Sequence, residues 1–180
     1  RQLELIALTP TVWVEPSSGL QWHDESFCML VPKNIADSDW RIVDPQGSSW
    51  FRSPLDERYH LIYRFSESPE GAQPLSLFNL RRWLSSRPTG RAVRAQWWND
   101  RLELAALDGT LIKAHAVHRA PSAGDAAYFA LLLFDQLDWA GSTVPLFWEG
   151  QGSEDVQKWT KHFIAHWHSR SLEGVLGLAS

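Results

Sequence analysis

Apolar and polar positions alternate most clearly between residues 90 and 118. Segments 90–98, 101–107 and 110–118 read as strands, joined by the two-residue connections Asn99-Asp100 and Asp108-Gly109. Asp-Gly between alternating runs is a strong hairpin signal, so this stretch predicts a three-stranded antiparallel meander. Segment 59–65 alternates too: Tyr59, Leu61, Tyr63 and Phe65 share one face, and His60, Ile62 and Arg64 the other. Residues 27–31 form a short apolar strand closed by Pro32, Trp40 to Val43 suggests another, and 68–71 a turn. The apolar stretch 3–8 and then Thr11 to Val14 are punctuated by Pro10, Pro16 and Gly19, which predicts an N-terminal arm or edge strand over 1–25.

Helical spacing appears in two places. Leu77, Leu80 and Leu84 follow Pro74, predicting a helix over 75–86. Near the C-terminus Ser153 is an N-cap candidate, and Glu154 and Asp155 complement the dipole in the first turn. Val156, Trp159, Phe163, Ile164 and Trp167 then fall on one face, predicting a helix over 153–170. Segment 126–136 is apolar all round. Its Ala and Leu content favours helix by propensity, but a turn at 138–141 and a strand over 143–148 extend the meander if 126–136 is a strand, and strand is the reading adopted. The fold class expected is α+β: an antiparallel sheet of about five to seven strands flanked by helices 75–86 and 153–170. A chain of 180 residues fits one such domain, placed over 26–180 behind the arm.

Composition narrows the function classes. Hydrophobic residues at 44% with charged residues at 21% describe a globular chain. The formal charge of −4 argues against a dedicated nucleic-acid binder. No apolar run approaches the roughly 18–20 residues of a membrane span. One cysteine, Cys28, permits no internal disulfide, and its apolar strand is the setting of an inert small hydrophobe. The start Arg1-Gln2-Leu3-Glu4 carries no initiator Met or signal pattern, as expected of a chain whose natural beginning has been removed. Trp occurs 11 times against three Tyr, which suits either core filling or a binding surface.

Candidate chemistry is sparse. Asp155, His162 and His166 lie at i, i+7 and i+11 of the expected helix, so the two histidines and the carboxylate can be drawn as metal ligands. The competing reading makes them boundary residues beside a Trp-rich face, and the expectation is no metal and no cofactor. From Arg81 to Arg101 there are six arginines and one acid, Asp100, with Trp97-Trp98 among them. That patch nominates Arg91, Arg94, Trp98 and Arg101, with Trp148, as partner-binding residues, and an acidic protein suits it better than a nucleic acid. Neither a P-loop, a Gly-x-Gly-x-x-Gly loop nor a Gly-x-Ser-x-Gly elbow occurs, so no catalytic residue is nominated.

The order of elements resembles the PsbP/DcrB-like fold: an apolar strand ending in Val31-Pro32, a loop with Trp40, a strand leading to a helix, several antiparallel strands, and a strand with Pro145 feeding a C-terminal helix. The resemblance covers about 26–170 and requires a strand over 126–136. It implies a bacterial, non-catalytic binding or assembly factor, of the kind found as periplasmic lipoproteins or secretion-system chaperones. A second similarity, through Val31-Pro32 and Asp39-Trp40-Arg41, is to exosortase-associated periplasmic proteins, although the His…Pro-x-x-Cys segment is missing. The function expected is thus a periplasmic or membrane-anchored protein-interaction module with a protein partner, the alternative compartment being the cytoplasm. The alternative is a small-molecule or glycan binder using exposed Trp such as Trp98 or Trp148.

Overall fold

The computed structural model describes residues 9–15, 19–33, 50–64 and 73–171. The chain divides into two compact units, Arg1–Ser85 and Ser86–Ser180. Both mix strands and helix, as the α+β expectation requires. The expected strand over Trp40 to Val43, the turn 68–71, the stretch 3–8 and Phe65 lie outside the described residues.

The first unit holds β1 (Thr9–Glu15), β2 (Gly19–Pro32), β3 (Trp50–Pro54), β4 (Tyr59–Arg64), β5 (Gln73–Pro74) and α1 (Leu75–Ser85). Its sheet has the order β3-β4-β2-β1-β5, and every pairing is antiparallel. The arm expected over 1–25 is corrected here. Strand β2 runs straight through residue 25, and β1 pairs on both sides, with β2 and β5. Strand β4 is buried on both faces, since His60 and Ile62 are as enclosed as Leu61 and Tyr63. Helix α1 matches the expected 75–86 to within one residue, burying Leu77, Leu80 and Leu84 together with Trp83.

The second unit opens with the expected meander: β6 (Arg91–Trp98), β7 (Arg101–Asp108) and β8 (Leu111–Arg119). Asn99 takes φ 55 in the first turn, a left-handed conformation that Asn tolerates better than most residues. The second turn sits one residue later than expected, over Gly109 and Thr110. Beyond β8 two expectations are corrected. Segment 126–136 is not a strand but part of α2 (Ala123–Gln136), whose first turn is fixed by a capping box between Ser122 and Asp125. The strand that follows, β9 (Leu146–Gly150), pairs parallel with β6, not antiparallel. A helix between β8 and β9 supplies the long return that a parallel pairing needs.

The C-terminal helix is also shorter than expected. Helix α3 (Ser153–Thr160) stops after eight residues, and the chain turns into a further parallel strand, β10 (Trp167–Arg170), alongside β9. The turn is held by N–H donation from Ile164 to the Thr160 carbonyl and from Ala165 to the Gly141 carbonyl, both 2.9 Å. The sheet order is β10-β9-β6-β7-β8. A strand is absent where the PsbP/DcrB-like order requires one, so element order no longer carries that resemblance.

Strand alternation gives this sheet two unlike faces. Val93, Ala95, Trp97, Leu102, Leu104, Leu146 and Trp148 form an apolar core with Ala126, Ala127, Ala130, Leu133 and Phe134 of α2 and Val156 of α3. Gly150, at φ 103, ends β9 against the Trp97 carbonyl, where a Cβ would collide with that backbone. On this face the imidazole of His118 stacks on Phe129 at 4.1 Å, with the rings 3° from parallel. Partial burial there lowers its pKa from the ordinary histidine value. The fold therefore favours neutral His118, and its contribution is present above the unfolded value and lost as pH falls through the folded one. Chemical denaturation between pH 7.5 and 5 should show stability falling with acid, and His118→Phe should flatten that slope. An unchanged slope in the variant would assign the effect elsewhere.

Candidate functional site

The face of the second sheet away from α2 carries side chains of a different kind. Gln96, Glu103 and Glu149 lie in one row of the cross-strand register, and all three are buried. Glu103 is 0% exposed and accepts from His115 Nε2 at 2.9 Å and from Arg101 Nη1 at 3.2 Å. Arg101 and Glu103 share a face because they are two apart on β7, and His115 joins them because it pairs with Ala105 next along. A carboxylate between a guanidinium and an imidazole neutralises its own burial, which is the condition for holding such charges in a low-dielectric interior.

In the next row Phe147 is flanked by a cation and an imidazole. The Arg94 guanidinium carbon stands 4.0 Å from the Phe147 ring centroid, and His168 stacks on the same ring at 4.7 Å. The row is open at β10, where His168 is exposed.

The residues nominated from sequence therefore part company. Arg101 is 2% exposed and Trp148 is 0% exposed, so neither can meet a partner at the surface. The first is held by the buried Glu103. The second is packed edge-on to Trp97 and face-on to Trp167, with its Nε1 donating to the Gln151 carbonyl at 3.0 Å. Arg94 and Trp98 are half-buried, while Arg91 is exposed, 3.7 Å from Asp108 and over the Trp139 ring. The drawn metal set is not assembled on one helix face, because α3 ends before His162, and His166 lies just before β10. Asp155 instead accepts from Lys158 Nζ at 2.7 Å, a bond that raises the lysine's pKa. Among the described residues no group of three or more His, Cys, Asp or Glu side chains is placed to hold a metal ion.

What pattern reading missed is the surface of α3 and of the turn that follows it. Trp159 is 65% exposed and Phe163 64% exposed, although the helical period had assigned both to a buried face. They are four residues apart and flanked by Lys158, Lys161, His162 and His166, all exposed. Of the seven tryptophans whose burial is described, Trp83, Trp97, Trp139 and Trp148 are buried and Trp98 and Trp167 half-buried. Two large aromatics left in water beside lysines are not explained by folding, and Tyr128 of α2 is likewise 60% exposed.

Comparison with solved structures locates the architecture. A protein from Bacteroides thetaiotaomicron, described as having an actin-like ATPase fold and unknown function, superposes with a TM-score of 0.62 at 11% identity, over 84% of this chain and 68% of that one. The likeness is one of fold alone. Archaeoglobus fulgidus Pelota aligns over 62% of this chain and 34% of its own at 14% identity, and its TM-score of 0.35 supports no argument. No protein-family model matches the sequence, and no curated protein matches it either. None of the described helices is long and apolar enough to cross a membrane.

Proposed function

We propose that this chain is a non-enzymatic protein-interaction module carried on an actin-like scaffold, an accessory or assembly factor of bacterial type. The exposure of Trp159 and Phe163 supports this reading most directly. Aromatic side chains deliver large contact area with few rotatable bonds, and they dominate binding energy where interfaces form. The polar groups at the sheet centre, Arg101, Glu103 and His115, bond one another, and the sequence has no glycine-rich phosphate cradle. These features favour binding over nucleotide turnover, although the scaffold is shared with a protein of actin-like ATPase fold.

A photo-crosslinking side chain at position 159 or 163 should give a discrete protein adduct in the source cell. The same group at exposed Lys113 should give none. Absence of any adduct together with steady ATP hydrolysis by the purified chain would overturn the proposal. The glycan-binding alternative keeps one foothold in exposed Trp159, whereas Trp148 is out of reach. Sugar-dependent fluorescence quenching that vanishes in Trp159→Phe would favour it.

A further inference from the structure

We propose that the outer edge of β10 receives an extended, acidic segment of a partner protein by strand addition. This rests on the interaction-module reading and names the partner's chemistry. Strand β10 is the last strand of its sheet, paired with β9 on one side, and among the described residues nothing pairs with its other side. His168, Ser169 and Arg170 are exposed. In the parallel ladder the Leu146 N–H donates to the His166 carbonyl at 2.9 Å, with Trp167 opposite Leu146. Alternate residues of a parallel strand bond to opposite sides, so Trp167 and Ser169 direct their N–H and C=O groups outward. That row is a template for a further strand, which globular proteins ordinarily cover or blunt.

Charge selects the occupant. From Val156 to Ser171 there is no Asp or Glu, and the stretch carries Lys158, Lys161 and Arg170 with three histidines, in a chain of net charge −4. Lys158 is engaged by Asp155 and Arg170 stands opposite the buried Glu149 in the ladder, whereas among the described residues no carboxylate forms an ion pair with Lys161. A second copy of this chain would bring the Arg170 of each copy to the shared edge, and like charges across a strand pair oppose association. An acidic strand meets the same cations favourably, and steering by opposite charge would make its binding salt-sensitive.

The probe is a blocked peptide of alternating Glu and Val, with its Lys-Val counterpart and vesicles containing phosphatidylserine as comparisons. Binding is followed by titration, and amide exchange is followed by NMR. The Glu-Val peptide should bind, weaken as salt rises, and protect the Trp167 and Ser169 amides from exchange. Ser169→Pro removes one outward donor while sparing the β9 bonds and should weaken binding at least about tenfold, with Ser169→Ala within about twofold. Lys161→Glu with Arg170→Glu should reduce affinity for the Glu-Val peptide and raise it for the Lys-Val one. Binding to vesicles but not to the peptide would overturn strand addition, as would peptide binding without protection of those two amides. If Trp159→Ala and Phe163→Ala abolish crosslinking to the native partner while the peptide arms fail, the module reading stands and this edge assignment falls.

Discussion

Glu103→Ala is expected to destabilise the protein by about 3–5 kcal/mol, the usual consequence of removing one member of a buried charge network. The carboxylate is 0% exposed and lies between Arg101 Nη1 and His115 Nε2, so its loss leaves a buried guanidinium and a buried imidazole without the acceptor they share. The paired experiment is the triple change Arg101→Met, Glu103→Leu and His115→Phe. Replacing such a network with apolar groups of similar volume is commonly neutral or stabilising, so the triple variant should recover most of the single loss. Urea denaturation of both variants decides the matter. A triple variant as unstable as Glu103→Ala would show that the network contributes net stability and is not merely self-compensating.

Trp148→Ala should cost about 3–5 kcal/mol, in the range of large aromatic truncations in packed cores. Trp148 is 0% exposed, sits between Trp97 at 6.1 Å and Trp167 at 5.5 Å, and donates a hydrogen bond from its indole. Truncation would leave a cavity across three strands and an unmet carbonyl at Gln151. The same substitution at Trp159 should change stability by less than about 0.5–1 kcal/mol, because that ring is already in water. Comparable losses at both positions would mean that Trp159 is enclosed in solution.

The contrast between these two tryptophans shows where sequence reading ran out. The meander over 91–119 was legible because period-2 alternation and two tight turns are local signals. Helix α1 was legible for the same reason, its leucines recurring at helical spacing behind a proline. Segment 126–136 is not legible from its period, because an apolar run has none, and the helix start is marked instead by the capping-box spacing Ser122-x-x-Asp125. The parallel pairing of β9 and β10 was not written in either strand, since strand patterns report burial and not partners. The helix expected over 153–170 failed because five apolar residues fitted one face by spacing. Only Val156 and Ile164 are buried, while Trp159 and Phe163 face water and Trp167 belongs to a strand. The run of arginines nominates Arg101 for a partner, but Glu103 two residues on and His115 beyond the hairpin enclose it. Their union depends on cross-strand register, a tertiary fact.

The central claim is that Trp159 and Phe163 serve binding and not folding. The measurement that bears on it most directly is the double variant Trp159→Ala with Phe163→Ala, followed by both denaturation and affinity for the crosslinked partner. The account predicts stability within about 1 kcal/mol of the parent and affinity reduced at least about tenfold, as for aromatic anchors at an interface. A variant that unfolds readily yet keeps its partner affinity would contradict it.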